Sequence, residues 1–328
     1  MRKTLLAFLI MVLFGTSIIT FYYIPKIWRT EPHKTFSPHT PESQGSETEQ
    51  FVELKVDLYS QDGEWIRSQI DLPLYTSTVA YTVSNSGTAT ADDIQVTIYI
   101  GGVVFKKISL ASLASYHSFT DEFSISVNYD DSKEEVSLTA SSEGSTDTDT
   151  LTINAILPRS PSSHIARLYI TPQDPIVKQT LNNILKKPLY FDWMEIRDWV
   201  ADKIDYPPDD ADGDGEPDYD YIKHGQWEYW QLPRETLSLR TGDCEDYSIL
   251  LCTLLRANGW DEDRVYVVLG KDQNGKGHAW VKLNVDIIGW RYIEPQIGGV
   301  LNTFIGDPIV TLGYTAEYIF NDVYFETA

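Results

Sequence analysis

Residues 240–258 read RTGDCEDYSILLCTLLRAN and contain the clearest local signals in the chain. Apolar residues recur at three- and four-residue spacing over 247–255, which predicts an amphipathic helix. A Gly-Asp pair precedes this run, so that Asp243 is predicted to be the N-cap, and the Asn-Gly pair at 258–259 is a stop signal. The helix therefore begins at Cys244.

A cysteine in the first turn of a helix has a specific electrostatic setting. Its thiol lies near unpaired backbone N–H groups and the positive end of the helix dipole, which favour the thiolate. The alternative is that Cys244 is a small buried core residue, which is the usual role of a lone cysteine in an apolar helix. The choice depends on which partners the rest of the chain supplies.

Two predicted strands downstream supply such partners. The alternating run GHAWVKL at 277–283 predicts a strand that carries His278, and WRYIEP at 290–295 predicts a second strand that ends at Glu294. A thiolate nucleophile needs an imidazole to take its proton and a third group to orient that imidazole. Cys244, His278 and Glu294 are therefore a candidate catalytic triad.

The three segments together resemble a known family. GDCEDYS, GHAWV and WRYIEP are similar to the transglutaminase-like core, a papain-related superfamily that includes calcium-dependent transglutaminases and bacterial transglutaminase-like cysteine proteinases. The resemblance covers roughly residues 227–296 and implies a papain/transglutaminase-like α+β domain, which we place at residues 164–328. The third catalytic residue of the family is most often Asp. Glu294 can accept the same hydrogen bond through a longer side chain.

An acidic loop, DADGDGEPD, lies at residues 210–218. Carboxylates alternate along it and a glycine stands at position six, as in DxDxDG calcium loops. Tyr221 occupies position twelve, where an EF-hand has its bidentate Glu, so the loop resembles the shorter calcium loops of extracellular repeat proteins. A solvated acidic loop is the alternative. The predicted calcium ligands are Asp210, Asp212, Asp214, Glu216 and Asp218.

The resemblance implies two further features around Cys244. In the resembling families an upstream Gln or Trp side chain joins the cysteine amide in an oxyanion hole. Acidic residues that flank the cysteine help to bind calcium in the bacterial proteinases, which implies a second calcium site at Asp243 and Glu245. The segment GQWEYWQLP at 225–233 leaves four oxyanion-hole candidates open: Gln226, Trp227, Trp230 and Gln231.

Composition limits the classes of partner. The chain has 328 residues, which is enough for two domains, and a formal net charge of −22. Nucleic-acid binding needs clustered Lys and Arg, so this charge argues against a nucleic-acid partner. The two cysteines, Cys244 and Cys252, lie about 12 Å apart along one helix. A disulfide needs Cα atoms within about 7 Å, so the two do not pair, and Cys252 is predicted to be core.

The N-terminal segment has the features of a membrane anchor. Residues 4–24 contain no charged residue and are long enough to span a bilayer, and aromatic residues cluster at their far end. The basic residues before them predict a cytoplasmic N-terminus. A cleaved signal peptide with a small-residue site near 15–17 is the alternative. We predict a cytoplasmic tip and single-pass transmembrane helix over residues 1–28, with the following domains outside the cytoplasm.

A flexible polar linker over residues 29–50 leads into a segment with period-two patterning at 51–156. Seven short strands separated by turn signals predict an immunoglobulin-like β-sandwich. The stretch TVSNSGTATADDIQVTIYIGG at 82–102 is similar to adhesion-type sandwiches of archaeal and bacterial surface proteins. The segment has no catalytic constellation and is predicted to be a spacer or binding module. The predicted strands are 52–59, 78–83, 94–100, 103–110, 119–127, 135–140 and 150–155.

Local signals also predict the remaining elements in the second half of the chain. LPRSPSS at 157–163 predicts an interdomain linker, and helices are predicted at 175–187 and 192–204. The aromatic-rich tail at 313–328 is predicted to pack against the second domain.

Two functions from different classes fit these observations. The first is a membrane-tethered extracytoplasmic cysteine hydrolase, either protease or amidase, or an acyltransferase, with a protein or peptide substrate. The second is a catalytically inactive cell-surface binding or adhesion protein that keeps the transglutaminase-like fold. A thiol-reactive probe separates them, because an activated Cys244 reacts far faster at neutral pH than a core thiol.

Overall fold

The structure is a computed structural model of the chain. It describes residues 49–161, 163–185, 192–208, 213, 218–299 and 313–328. The predicted transmembrane helix and four of the predicted loop ligands, Asp210, Asp212, Asp214 and Glu216, lie outside these residues. Within them, no helix is both long and apolar enough to cross a bilayer. Residues Glu49–Ala328 belong to one compact unit of α+β structure.

The first part of this unit is a sandwich of eight antiparallel strands. One sheet is built on β3, which pairs with β1 and β2 along one edge and with β6 along the other, and the second sheet has the order β5-β4-β7-β8. Alternate apolar side chains of both sheets meet in a single core. The strands are β1 (Leu54–Ser60), β2 (Glu64–Arg67), β3 (Pro73–Asn85), β4 (Ala91–Ile100), β5 (Val103–Leu113), β6 (Ser118–Asn128), β7 (Ser132–Ser142) and β8 (Ser145–Ala155).

The predicted β-sandwich is confirmed, but the expected number of strands is wrong. The additional strand is β2, which has only four residues and two of them exposed, so it has no apolar alternation to detect. It pairs with the first residues of β3, which begins at Pro73 rather than at the predicted residue 78.

A polar seam joins the two sheets where β1 runs beside β8. The backbone amides of Leu54, Val56 and Leu58 donate hydrogen bonds to side-chain oxygens of β8 over 2.7–2.9 Å. The acceptors, in the same order, are Ser145, Asp147 and Asp149. Side chains of one sheet thus satisfy the edge amides of the other.

Among the described residues, the second part of the unit combines five α-helices with a five-stranded antiparallel sheet of the order β11-β10-β9-β12-β13. Its elements are α1 (Pro175–Ile184), α2 (Asp192–Lys203), α3 (Tyr219–His224), α4 (Pro233–Leu239), α5 (Cys244–Ala257), β9 (Val265–Lys271), β10 (Gly277–Val285), β11 (Gly289–Ile293), β12 (Thr315–Phe320) and β13 (Phe325–Thr327).

Helix α5 is the centre of this part. Every residue from Glu245 to Leu255 is buried, and the helix packs on β9 and β10. The predicted helix and its start at Cys244 are confirmed, and Cys252 is a fully buried core residue as expected. Asp243 occupies the N-cap position, but its side chain makes no capping hydrogen bond. The tail packs on the domain as predicted, because β12 and β13 extend the sheet.

The segment predicted as an interdomain linker is packed against the second part rather than free. Leu157 is buried in the core, and the carbonyl of Pro158 accepts a 2.7 Å hydrogen bond from the hydroxyl of Tyr169. The Arg159 guanidinium forms a two-point ion pair with Glu235 at 2.6 and 3.0 Å. The segment predicted as an interdomain linker is therefore held by specific contacts.

Arg67 is one of the residues that connect the sandwich to the second part. Arg67 at the end of β2 donates 2.7 Å hydrogen bonds to the carboxylate of Asp71 and the carbonyl of Ile170. It also donates to the carbonyl of Arg167, in the 3-10 segment Ser163–Tyr169. The guanidinium thus fixes the path by which the chain enters the helices.

Candidate active site

His278 and Glu294 are brought together by two neighbouring strands. His278 lies near the start of β10, and Glu294 directly follows β11, which pairs with β10. The imidazole Nε2 is 2.8 Å from Oε2 of Glu294, and both side chains are at least four-fifths buried. Since Nε2 contacts the carboxylate, Nδ1 is the nitrogen left to accept a proton from a thiol.

Cys244 faces the same strand from the start of α5. The backbone N–H of Ala279, the residue after His278, lies near enough to the sulfur to lower the pKa of the thiol. The thiol itself donates to Oε2 of Glu245 over 3.4 Å. The packing of α5 on β10 therefore brings the cysteine beside the strand that carries the His278–Glu294 pair.

The surroundings of Cys244 disfavour the thiolate in this geometry. Burial raises the pKa of the thiol well above its usual range, and the charges of Asp243 and Glu294 add to this rise. Hydrogen bonding with the Glu245 side chain and the nearby N–H of Ala279 lower the pKa without reversing this rise. Burial thus opposes the expected effect of the helix dipole on this thiol.

A compact group of carboxylates lies beside the thiol, at the first turn of α5. Oxygen atoms of Asp220, Asp243 and Glu245 lie within 4.8 Å of one another. One oxygen of each (Asp220 Oδ1, Asp243 Oδ1 and Glu245 Oε1) has no hydrogen-bond partner among the described residues. Oxygen ligands packed in this way, with unsatisfied atoms, fit a hard divalent cation such as calcium. We call these three residues the carboxylate cluster.

The raised pKa values of the carboxylate cluster also support the binding of a cation. Burial raises the pKa of Asp220 to about 8 and the pKa of Asp243 to about 6. Burial, followed by the charge of Asp243, raises the pKa of Glu245 well above its usual range. Ionised carboxylates are unfavourable here unless a positive charge lies among them.

Asp220 was not predicted from sequence, although the acidic loop leads directly to it. Asp218 stands at the N-cap position of α3, and its side chain makes no capping hydrogen bond. Asp220 is in the first turn of that helix, where its second oxygen accepts the backbone N–H of Tyr229. Only the fold brings α3 to the start of α5, so no local pattern pairs Asp220 with Asp243.

Two of the four predicted oxyanion-hole side chains donate to other groups. Trp230 is buried, and its Nε1 donates to Glu228 at 2.7 Å. The carboxamide of Gln231 is buried and donates to Asp246 Oδ2 at 2.6 Å. Gln226 is exposed, and Trp227, with 61% of its surface exposed, stacks on Tyr221 at 4.3 Å.

Aromatic side chains pack against the imidazole of His278. The ring of Tyr314 meets His278 edge-on, with centroids 5.2 Å apart and planes at 77°, and lies 5.3 Å from the ring of Trp280. The sequence had indicated only that an aromatic-rich tail packs on this domain, without identifying Tyr314. Tyr206, whose ring lies 6.2 Å from Tyr247, is a second aromatic residue near the thiol that the sequence did not reveal.

Comparisons with known families agree with this two-part organisation. Residues 178–295 match the family model of the transglutaminase-like superfamily. Residues 68–156 match the CARDB family model. The chain therefore contains a CARDB domain followed by a transglutaminase-like domain, and the resemblance of the three motifs to that superfamily is confirmed.

Solved structures of two kinds are similar to parts of the chain. The CARDB domain of PF1109 from Pyrococcus furiosus has 17% sequence identity and a TM-score of 0.28, covering 34% of this chain and 100% of its own. Calcium-bound LapG of Legionella pneumophila has 16% identity and a TM-score of 0.34, covering 51% of this chain and 81% of its own. EGTA-treated LapG has 17% identity and a TM-score of 0.35, with 50% and 77% covered. Comparison with curated proteins gave no match.

Proposed function

We propose that the transglutaminase-like domain of this chain is a cysteine hydrolase or acyltransferase that acts through Cys244, His278 and Glu294. One observation carries the proposal: His278 Nε2 lies 2.8 Å from Glu294 Oε2, and the sulfur of Cys244 lies near Ala279, the next residue on the same strand. A core cysteine has no need of an oriented imidazole beside it. The arrangement supplies a nucleophile, a base and an orienting carboxylate.

The reaction divides into two steps. The Cys244 thiol gives its proton to Nδ1 of His278, and the sulfur bonds to the carbonyl carbon of an amide substrate. His278 then returns the proton to the leaving nitrogen as the C–N bond breaks, which leaves a thioester on Cys244. Water or an amine attacks the thioester while His278 takes its proton, and His278 returns this proton to the sulfur when the C–S bond breaks, which regenerates the thiol. Water gives hydrolysis and an amine gives acyl transfer.

The backbone N–H of Cys244 is the first proposed donor to the oxyanion. It belongs to the opening turn of α5, where amides have no partner within the helix. The exposed side chains of Gln226 and Trp227 stay candidates for the second donor, since Trp230 and Gln231 are already engaged.

Calcium is the proposed ion of the carboxylate cluster. Asp220, Asp243 and Glu245 would hold it, and a bound cation supplies positive charge that offsets the carboxylates beside the thiol. The acidic loop at 210–218, with Asp210, Asp212, Asp214, Glu216 and Asp218, is proposed as a separate calcium site of the same domain.

The function is tested with a casein-like protein in calcium, with and without a primary amine donor. Peptide products that form both with and without the amine donor indicate a protease. Release of ammonia indicates an amidase, and incorporation of the amine into the substrate indicates an acyltransferase. If none of these products forms and Cys244 alkylates no faster than a free cysteine, the enzymatic proposal is wrong. The inactive binding protein, which the raised pKa of Cys244 favours, is then the better explanation.

We also propose that residues 1–28 anchor the chain in the cell membrane with both domains outside the cytoplasm. The uncharged apolar run at 4–24 and the basic residues before it support this orientation. Protease added to intact cells is expected to digest the CARDB and transglutaminase-like domains and to leave the N-terminal segment. Full protection of both domains until the cells are lysed contradicts the orientation.

A further inference from the structure

Two cavities lie side by side where the CARDB domain meets the transglutaminase-like domain. Their volumes are about 380 and 390 Å³, and Tyr129, Tyr229 and Glu235 line both of them, so the two spaces adjoin. Tyr129 directly follows β6 of the sandwich, whereas Tyr229 and Glu235 belong to the second domain. Cavities of this size are within the range that ligands of proteins occupy. We call the combined space the junction groove.

Large apolar side chains are exposed at both ends of the junction groove. Ile176, the second residue of α1, and Leu239, the last residue of α4, line the first cavity with 42% and 37% of their surface exposed. Ile156 lines the second cavity and is 73% exposed, beside the exposed Gln226. A ligand that covers these side chains removes their apolar surface from water, which favours binding.

The charged side chains of the junction groove are mostly paired within the protein. Glu235 forms the two-point ion pair with Arg159, and Arg234 forms another with the buried carboxylate of Asp174 at 2.8 and 3.0 Å. Asp130 also lines the second cavity, but it is exposed to solvent, which screens its charge. A charged ligand would have to compete with these ion pairs, so the groove fits an uncharged ligand.

Tyr229 supplies a fixed ring and a polar group to the groove. The imidazole of His224 stacks on this ring with centroids 3.9 Å apart and planes at 11°, and the guanidinium carbon of Arg159 lies 4.5 Å from the ring centroid. The hydroxyl of Tyr229 has no hydrogen-bond partner among the described residues. A peptide group of a ligand can supply that partner, because it carries both a donor and an acceptor.

The same residue connects the junction groove to the proposed active site. The backbone N–H of Tyr229 donates to the carboxylate of Asp220, a member of the carboxylate cluster beside Cys244. The next residue, Trp230, donates its backbone N–H to the carbonyl of Arg159 over 2.7 Å. The groove therefore lies on the segment that borders the cluster, where a polypeptide bound at Cys244 can make further contacts.

We propose that the junction groove is an exosite for the polypeptide substrate, where an uncharged stretch with large apolar side chains binds away from the bond that reacts. This inference rests on the proposed function, because the occupant is the substrate of the cysteine site. The CARDB domain takes part in substrate binding through Tyr129. A substrate held at two places on one molecule binds more tightly than a substrate held at either place alone.

Binding is tested first without turnover, in the full chain with Cys244→Ala and with calcium present. The probe is an acetylated and amidated peptide that has no charged residue and the centre Tyr-Leu-Tyr, and its affinity is measured by isothermal titration calorimetry. A second peptide has Glu in place of both tyrosines. The uncharged peptide is expected to bind, and the acidic peptide is expected to bind at least about tenfold more weakly, because its charges lose water without gaining a partner.

Two substitutions in the same background locate the bound peptide. Ile176→Asp places a charge at the apolar end of the groove and is expected to weaken binding about tenfold. An acidic residue in the first turn of a helix is favourable, so α1 is expected to keep its fold. Tyr229→Phe keeps the ring and removes the hydroxyl, and is expected to weaken binding about fivefold. Ile288→Asp is the matched control, because Ile288 is also 42% exposed and lines neither cavity.

Turnover of the casein-like protein then shows whether the occupant is the substrate. With Cys244 restored, Ile176→Asp is expected to raise KM about tenfold and to leave kcat and the melting temperature unchanged, as a lost binding contact does. A merely structural residue would lower the melting temperature and kcat instead. Ile288→Asp is expected to change neither kinetic constant.

Several results would overturn the exosite. These are no binding of the uncharged peptide, equal binding by Ile176→Asp and the Cys244→Ala parent, or a KM that stays constant while peptide binding is lost. If the unaltered chain is a dimer that Ile176→Asp separates, the occupant is a second copy and the proposal is wrong. If the peptide binds and Ile176→Asp weakens it, but the unaltered chain turns over no substrate, the enzymatic function fails and the groove is a peptide-binding site without catalysis.

Discussion

Replacing Cys244 with alanine is expected to lower turnover of the protein substrate by at least about 10⁴-fold, and His278→Ala is expected to have an effect of similar size. The reason is that the sulfur forms the covalent bond and Nδ1 carries the proton in every step. Glu294→Gln keeps the shape of the side chain and removes its charge, so a measurable residual rate is expected. Initial rates on the casein-like substrate, with and without an amine donor, give these values.

Cys252→Ala is the control for this series. Cys252 is on the same helix and is fully buried, so its replacement is expected to lower the free energy of unfolding by about 1 kcal/mol while activity persists. Full activity of Cys244→Ala would mean that another group is the nucleophile. Equal loss of activity in Cys252→Ala, at unchanged folding, would mean that the helix as a whole rather than its first thiol determines the rate.

Removal of calcium is expected to destabilise the second domain and to slow the reaction of Cys244 with alkylating reagents. The carboxylates of Asp220, Asp243 and Glu245, of which the first and last are buried and Asp243 is partly buried, repel one another, and a cation among them removes that repulsion. At a calcium concentration about 100 times the Kd, binding stabilises the folded state by about 2.7 kcal/mol. Melting temperature and alkylation rate, each measured in calcium and in chelator, give the two effects.

Two double substitutions distinguish the contributions of the two proposed calcium sites. Asp220→Asn with Glu245→Gln is expected to abolish the cluster's part of the calcium-dependent rise in melting temperature and the calcium-dependent gain in alkylation rate. The double substitution Asp212→Ala with Asp214→Ala, in the acidic loop, is expected to remove a separate part of the calcium-dependent rise in melting temperature. It is expected to leave the calcium-dependent gain in the alkylation rate of Cys244 unchanged. An alkylation rate of the unaltered chain that does not change between calcium and chelator would contradict a cation beside Cys244.

Local sequence patterns were sufficient for the elements that carry the triad. The apolar period over 247–255 predicted α5, and the alternation around His278 predicted β10, because both patterns reflect a single face turned to the core. The order of cysteine, histidine and acid along the chain then predicted that they meet, and the structure shows the contact between His278 and Glu294. Strand β2 gave no such pattern, since it is short and half exposed.

The parts of the site that the sequence did not reveal depend on contacts between distant segments. Asp220 joins Asp243 and Glu245 only because α3 packs beside the start of α5. Tyr314 reaches His278 only because Gly270 lets β12 approach closely. Neither a periodicity nor a motif records such an approach. The burial that raises the pKa of the Cys244 thiol likewise depends on the folded chain rather than on a local pattern.

The polar seam between β1 and β8 bears on how neighbouring molecules can associate. Alternate residues of a strand point their N–H groups the same way, so Leu54, Val56 and Leu58 carry the amides that face away from β3. An edge with free amides is a template on which a strand of another molecule can add. Here the side chains of Ser145, Asp147 and Asp149 already accept hydrogen bonds from these amides. At high concentration, copies of the chain are therefore not expected to pair edge to edge along β1. Three side chains of β8, rather than the backbone, provide this protection.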